Sequence, residues 1–515
     1  MLLFIFFVAL LNSKLVEYTL NVEYKWMTIA NFTKAVICVN GLNVGPLIRC
    51  NKGDTLKINV INNLHLKSIV VHCHGLKMRG TPWMDGSPVS QCGIAPRENM
   101  TYEFLADDIG THWYHSHIEL ERIDAFYGPL IIDDINKSTK IDYDEEYIVM
   151  ISDFHQQYSE ELVQMLTSNN FHWPGQPYRL LVNGMTNFNI SVSYGKTYLI
   201  RFISATAHSY LNVSFPGHNV TIVEVEGTYT NSLDTEFFWV NAGQRYTVLL
   251  RADNPGCYYI NISSMSDPIN VLMGLTYDNI DCNHSNYTST VNNNFFDTSL
   301  LTSKYPIDLP KPNKNLSIYM NVHRVNGNGR IFTYNNVSFE LPTIPILLSY
   351  YLGTYIPDNK TQIISVDYGD VIDIQLINNA KFQHSSHFHG VSFYVLNSAN
   401  PIKRDTVTTE SGESTLIRVS FDNPGCFLVH CHSDFHQEQH LILVIAYRPE
   451  TIPEPPSTFK ICGKTLTDIR QRQYLIDTIY SLGGIIILLM ITLLGGLYYI
   501  YKTKKLKEER MKLIV

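Results

Sequence analysis

At 515 residues the chain is long enough to build several hydrophobic cores. Charged residues make up only 17% and the formal net charge is -8, which argues against nucleic acid as a partner. Nine cysteines fit an oxidising compartment.

In chain order, residues 1–13 carry no charged side chain, and the short apolar run Leu2–Leu11 reads as a secretory signal, too short to span a bilayer. Residues 14–140 form a first β unit. In it Gly53-Asp54-Thr55-Leu56 opens a strand ending at Asn62-Asn63, ahead of His72-Cys73-His74-Gly75, and Gly110-Thr111-His112-Trp113-Tyr114-His115-Ser116-His117 follows. Residues 141–277 repeat both patterns as Gly195-Lys196-Thr197-Tyr198 and Gly256-Cys257-Tyr258-Tyr259, without histidine pairs. Residues 278–315, rich in Asn, Ser, Thr and Pro, read as a linker. Residues 316–450 repeat the patterns again: Gly369-Asp370-Val371-Ile372 precedes His384, His387 and His389, and Gly425-Cys426-Phe427 leads into His430-Cys431-His432 with His436 beyond. Short β-branched strands between Gly, Pro and Asn turns, in three related units, make each unit a β-sandwich, with histidine pairs in the first and third only.

Residues 451–477 are a juxtamembrane tail, and 478–501 is an uncharged stretch long enough to cross a bilayer. Lys502, Lys504, Lys505, Lys507, Arg510 and Lys512 follow, so the positive-inside bias leaves residues 502–515 in the cytoplasm and the β units outside. Twelve Asn-x-Ser/Thr sequons between Asn31 and Asn359, among them Asn99, Asn212 and Asn336, agree with that placement.

Ten of the 19 histidines fall in the four short motifs. Side chains alternate faces along a strand, so His430 and His432 point one way and Cys431 the other. Two metal centres can therefore share one strand. Imidazoles with a thiolate suit copper, and ten imidazoles exceed what one or two tetrahedral zinc sites use.

With all four motifs in the family's order, the chain from about Tyr18 to Ile445 resembles the multicopper oxidases, the family of laccases, ascorbate oxidases and ferroxidases. The resemblance implies an all-β chain of three cupredoxin-like domains followed by one transmembrane helix. It implies four copper ions: type 1 on His384, Cys431 and His436, type 2 on His72 and His387, and a type 3 pair on His74, His115, His117, His389, His430 and His432. Electrons from a reductant would pass through Cys431 to His430 and His432, and dioxygen would be reduced to water. Asp85 and Asp434 match acids that supply protons. Leu441 stands at the axial position, where it cannot coordinate. The family pattern pairs Cys92 with Cys462; Cys257 and Cys282 could close a loop, and Cys73 reads as a buried thiol.

Three positions depart from the family pattern: His440 replaces a glycine and reads as a solvated helix residue, Ser385 replaces a proline, and His112 precedes the aromatic pair. His208 falls where fungal laccases place the acid that holds the phenol, and Ser191 falls near the iron-binding glutamate of fungal ferroxidases. The expected activity is oxidation of diphenols or related small reductants. Ferrous iron, with an iron permease as partner, is the runner-up, and a non-catalytic copper-binding surface protein is the remote alternative. The expected location is the plasma membrane as a single-pass type I protein, touching lipid through one helix.

Overall fold

The computed structural model describes residues 13–134, 141–168, 171–278, 280–282, 287–288, 294–325, 329–354, 360–456, 459–462 and 464–512. Residues 1–12, nearly all of the expected signal, lie outside this range. The chain forms two compact units divided after Pro453.

The first unit contains six sheets in three cupredoxin-like domains. The repeated sequence pattern has a structural counterpart in parallel pairing. Leu15–Val22 pairs with Thr55–Asn62, Glu145–Ile151 with Tyr198–Ser204, and Lys314–Met320 with Ile372–Asn378. The aspartate of each Gly-Asp pair closes the turn before its strand: Asp54 accepts from Asn51 N at 2.9 Å, and Asp370 from Asp367 N at 2.8 Å. At the far end of the same strands sits a fully buried asparagine. Asn62 Nδ2 donates to Ile94 O at 2.9 Å, and its Oδ1 accepts from Leu64 N. Asn378 Nδ2 donates to Phe382 O at 2.7 Å and Thr409 O at 3.1 Å, and its Oδ1 accepts from Ala380 N. Both side chains pin the loop leading to a histidine motif, satisfying buried backbone groups that have no sheet partner.

The second and third sandwiches each enclose their own apolar core. Two smaller clusters join the domains. Trp113 and Tyr127 of the first domain pack with Met150, Phe154 and Ile203 of the second, and Leu120, Leu162, Ala207 and Phe435 bring all three together. The stretch expected to be a linker is anchored where it is described. Phe296 and Leu301 are buried in the second core, and Thr302 bridges Pro401.

Cys257 and Cys282 form a disulfide across 25 residues. Cys38, Cys50, Cys73 and Cys426 remain buried thiols alongside Cys431. Of the sequons singled out above, Asn99 and Asn336 are exposed, whereas Asn212 is 2% exposed within a sheet strand and offers no folded-state glycan site. In the second unit one helix runs Leu466–Lys512, and Thr478–Lys505 has a mean hydropathy of 2.2, long and apolar enough to cross a membrane.

Asn378→Ala removes the side chain that serves four backbone groups, the Phe382, Thr409 and Glu410 carbonyls and the Ala380 N–H. It should destabilise the protein by about 2–3 kcal/mol in denaturant unfolding, and a loss under about 0.5 kcal/mol would contradict the anchoring role.

Candidate metal centre

Sheet register brings the four motifs into facing pairs. His72 lies opposite His115 in the first domain, and His387 opposite His430 in the third. Alternation along Gly425–Cys431 then separates two donor sets, as the sequence predicts. Cys431 Sγ points into the third core, 3.5 Å from His384 Nδ1 and 3.5 Å from His436 Nδ1, which are 3.1 Å from each other. His430 points to the opposite face and meets the first domain, its Nε2 3.2 Å from the Nε2 atoms of both His117 and His389. His72 Nε2 lies 3.4 Å from His387 Nε2, and His432 Nε2 lies 3.1 Å from His74 Nδ1. His115 Nε2 is buried without a hydrogen-bond partner, beside His72 and His74.

These atoms face each other because their opposite ring nitrogens are held. The Nδ1–H groups of His72, His115, His387 and His430 donate to the carbonyls of Asp85 (2.6 Å), Ser116 (2.7 Å), Asp405 (2.9 Å) and Cys431 (3.0 Å). His389 Nδ1 lies 3.0 Å from Asp85 Oδ2. His74 is reversed: its Nε2 sits 3.2 Å from Asp405 Oδ1, and Nδ1 faces the cluster. A ring nitrogen that donates to an oxygen leaves a lone pair on the other, so these contacts fix which nitrogen can bind metal.

The donor chemistry fits copper. Burial pushes His384 and His430 down to about 3, lowers His72 and holds the other cluster imidazoles well below their usual range, so the rings are neutral and turn lone pairs toward each other. Burial likewise pushes the Cys431 thiol up to about 12. Lone pairs at 3.1–3.4 Å repel unless a cation lies between them, and a soft sulfur beside two imidazoles selects copper.

Asp85 is fully buried, and burial raises its pKa. Its placement depends on Gly86, whose φ of +71° is left-handed and where a Cβ would collide with the Val71 carbonyl. Asp434 opens the short helix Asp434–Glu438, and burial pushes it up to about 7 against the pull of Arg122. Leu441 is wholly buried against the third core. His440 differs from expectation. It follows the helix in a left-handed conformation with φ +78° and donates from Nδ1 to Phe339 O at 2.7 Å, which explains why glycine suits this position. The Ser385 backbone N–H lies against the Cys431 sulfur, a donor that proline lacks. His112 Nε2–H donates to Asp108 O at 3.0 Å, outside the cluster. His208 stacks on Phe435 at 5.2 Å, and its ring centre is 6.3 Å from that of His436. Ser191 sits in the second domain's own sheet, beside Thr276.

Three residues of the site carry no motif by which the sequence would reveal them. Arg122 lies 2.8 Å from His432 Nδ1 and binds Asp434 through Nε at 3.0 Å. Asp405, which holds His74 and through its carbonyl His387, is gripped by Arg245 of the middle domain at 2.7 and 2.6 Å. Arg245 also donates to Thr111 O of the first domain, so one buried cation links all three.

A thiolate-imidazole set and an all-imidazole set on opposite faces of one strand define a copper redox protein. Family models of multicopper oxidases match residues 21–137, 145–279 and 315–451. The chain is 31% identical to Laccase-5 of Trametes villosa over 81% of its length and 87% of that protein's. It is 29% identical to L-ascorbate oxidase of Cucumis sativus, covering 88% and 92% of the two chains. Among solved structures, Fet3p, described as a multicopper oxidase that functions in iron import, superposes with a TM-score of 0.78 at 25% identity over 85% of this chain and 91% of its own. The chain belongs to the multicopper oxidase family, copper oxidoreductases that use dioxygen as acceptor.

Asp405→Asn keeps the shape while weakening the acceptor for His74 and the pair with Arg245. Chelator competition should show copper affinity about 10–100-fold lower; unchanged affinity would contradict the assigned support.

Proposed function

We propose that this protein is a membrane-anchored oxidase that takes single electrons from diphenols or related aromatics and passes them to dioxygen. The observation that carries this reading is the strand Gly425–Cys431, whose faces present Cys431 to one donor set and His430 to the other. His384, Cys431 and His436 would hold type 1 copper, with Leu441 axial and non-coordinating. His72 and His387 would hold type 2 copper. One type 3 ion belongs with His117, His389 and His430, the other with His74, His115 and His432. Four copper ions in these places would supply one-electron oxidation at the first set and four-electron dioxygen reduction at the second.

The chain's own residues set up the rest. Three consecutive residues, His430-Cys431-His432, join the two sets covalently. Water formation consumes four protons per dioxygen, and Asp85 and Asp434 are two buried carboxyls near the imidazole set whose pKa burial raises. Asp85 bears on His72 and His389, and Asp434 is held through Arg122 against His432. The reductant would dock by His208 next to His436, where Trp173, Phe435 and Phe382 supply an aromatic wall. Such a wall suits a ring donor. Ferrous iron is the second reading, supported by the similarity to an oxidase of iron import, and it would call for a permease partner. Against it, the two carboxylates next to His208 are engaged, Asp267 facing its imidazole at 3.9 Å and Asp153 accepting from its backbone N–H at 2.8 Å, while Ser191 lies away in the middle sheet. The helix at Thr478–Lys505 would hold the protein in the plasma membrane in type I orientation, with the oxidase outside and the basic tail inside.

Two measurements check this. Hydroquinone should be oxidised with at least about tenfold higher kcat/KM than ferrous iron, and the reverse preference would sink the diphenol reading. A copper–thiolate bond at Cys431 would absorb strongly in the red, so Cys431→Ser should lose that absorption and oxidase activity together, whereas Leu441→Met should keep both and lower the type 1 potential. Dioxygen reduction surviving in Cys431→Ser would contradict the electron route.

A further inference from the structure

Arg330 opens the strand Arg330–Tyr334, two residues before Phe332, whose ring centre lies 4.5 Å from that of His436. The Arg330 guanidinium is 5.4 Å from the ring centre of Phe382, and Phe382 is 6.1 Å from His436. One aromatic ring thus neighbours both the cation and the histidine at which electrons would enter. Among the described residues Arg330 has no carboxylate partner, unlike Arg49, Arg122, Arg201, Arg245 and Arg418. Thr167, Ser168, Val325 and Gly329, which line the same cavity as Arg330, are all uncharged.

Arg330 also lines a cavity of about 300 Å3 with Leu166, Ile331, Gln439 and His440. The Gln439 amide donates to Arg330 O at 3.0 Å, while its Oε1 is buried without a partner. His440 commits its Nδ1–H to the Phe339 carbonyl, which leaves the Arg330 guanidinium as the charged donor in the cavity lining. A guanidinium without a carboxylate partner, set against the Phe382 ring, repels a metal cation and attracts a carboxylate, which it can bind through two parallel N–H groups.

We infer that Arg330 is a specificity residue that favours aromatic reductants carrying a carboxylate over neutral diphenols and over metal cations. This rests on the reading that electrons enter at His436 from a ring donor. The cation anchors the carboxylate, and the exposed ring of Phe382 keeps the substrate ring beside His436. Electron loss remains a property of the ring, so the selection is expressed in KM and not in kcat.

The test compares 3,4-dihydroxyphenylacetate with 4-methylcatechol on the copper-loaded full-length protein in detergent. The acid should show kcat/KM about tenfold higher or more. Arg330→Gln should raise KM for the acid by a similar factor, leave 4-methylcatechol unchanged and keep the red absorption, and Arg330→Lys should recover part of the preference. Phenylacetate, which cannot be oxidised, should compete with 4-methylcatechol in the native protein and lose that competition in Arg330→Gln. Equal efficiency for the two catechols, or an equal loss for both in Arg330→Gln, overturns the inference alone. Turnover of ferrous iron with neither catechol oxidised overturns the diphenol reading beneath it.

Discussion

Eight imidazoles are buried where the first and third sandwiches meet, four from each, and burial disfavours a cation on any of them. That constraint governs the rest of the structure. Burial keeps the rings neutral, backbone carbonyls and two carboxylates hold the outer nitrogens of six of them, and ring nitrogens converge at 3.1–3.4 Å. Bringing lone pairs together is unfavourable without a shared metal, so the folded seam is prepared for ions that complete it. The two ends of the chain are held together at that seam because each supplies half of the converging rings.

The middle domain has no ligands, yet it fixes the seam. Arg245 reaches out of its sheet, donates to a first-domain carbonyl and pairs with Asp405 of the third domain. Asp405 in turn orients His74 and His387. Glu226 of the middle domain accepts from Arg404 at 2.6 Å and from the backbone of Asp405 and Thr406. A fully buried ion pair of this kind is costly to break, typically about 3–5 kcal/mol, and its geometry specifies one arrangement of three sandwiches. A domain without metal is thereby a positioning element for the metal centre.

Much of this was legible in the sequence. The HxH spacings place two rings on one strand face, and the Gly-Asp repeats mark the strands that lead to them. Both follow from local periodicity. What periodicity does not carry is tertiary: Arg122 and Asp405 lie in stretches with no recurring pattern, and the reversed ring of His74 depends on a carboxylate 331 positions away. His440 was open to misreading because a left-handed residue after a short helix looks like a helix residue in sequence. Asn212 satisfied a sequon pattern while its strand position buried it. Arg330 escaped notice because an unpaired arginine is recognised only once its neighbours are known.

The central claim is that two donor sets on opposite faces of one strand work as a single electron-storing unit. Combined metal analysis and anaerobic reductive titration of the purified full-length protein tests it most directly. The account predicts four copper ions per chain, with about four electrons taken up before dioxygen is readmitted and water as the product. Saturation at one or two ions, or hydrogen peroxide as the product of reoxidation, would contradict it.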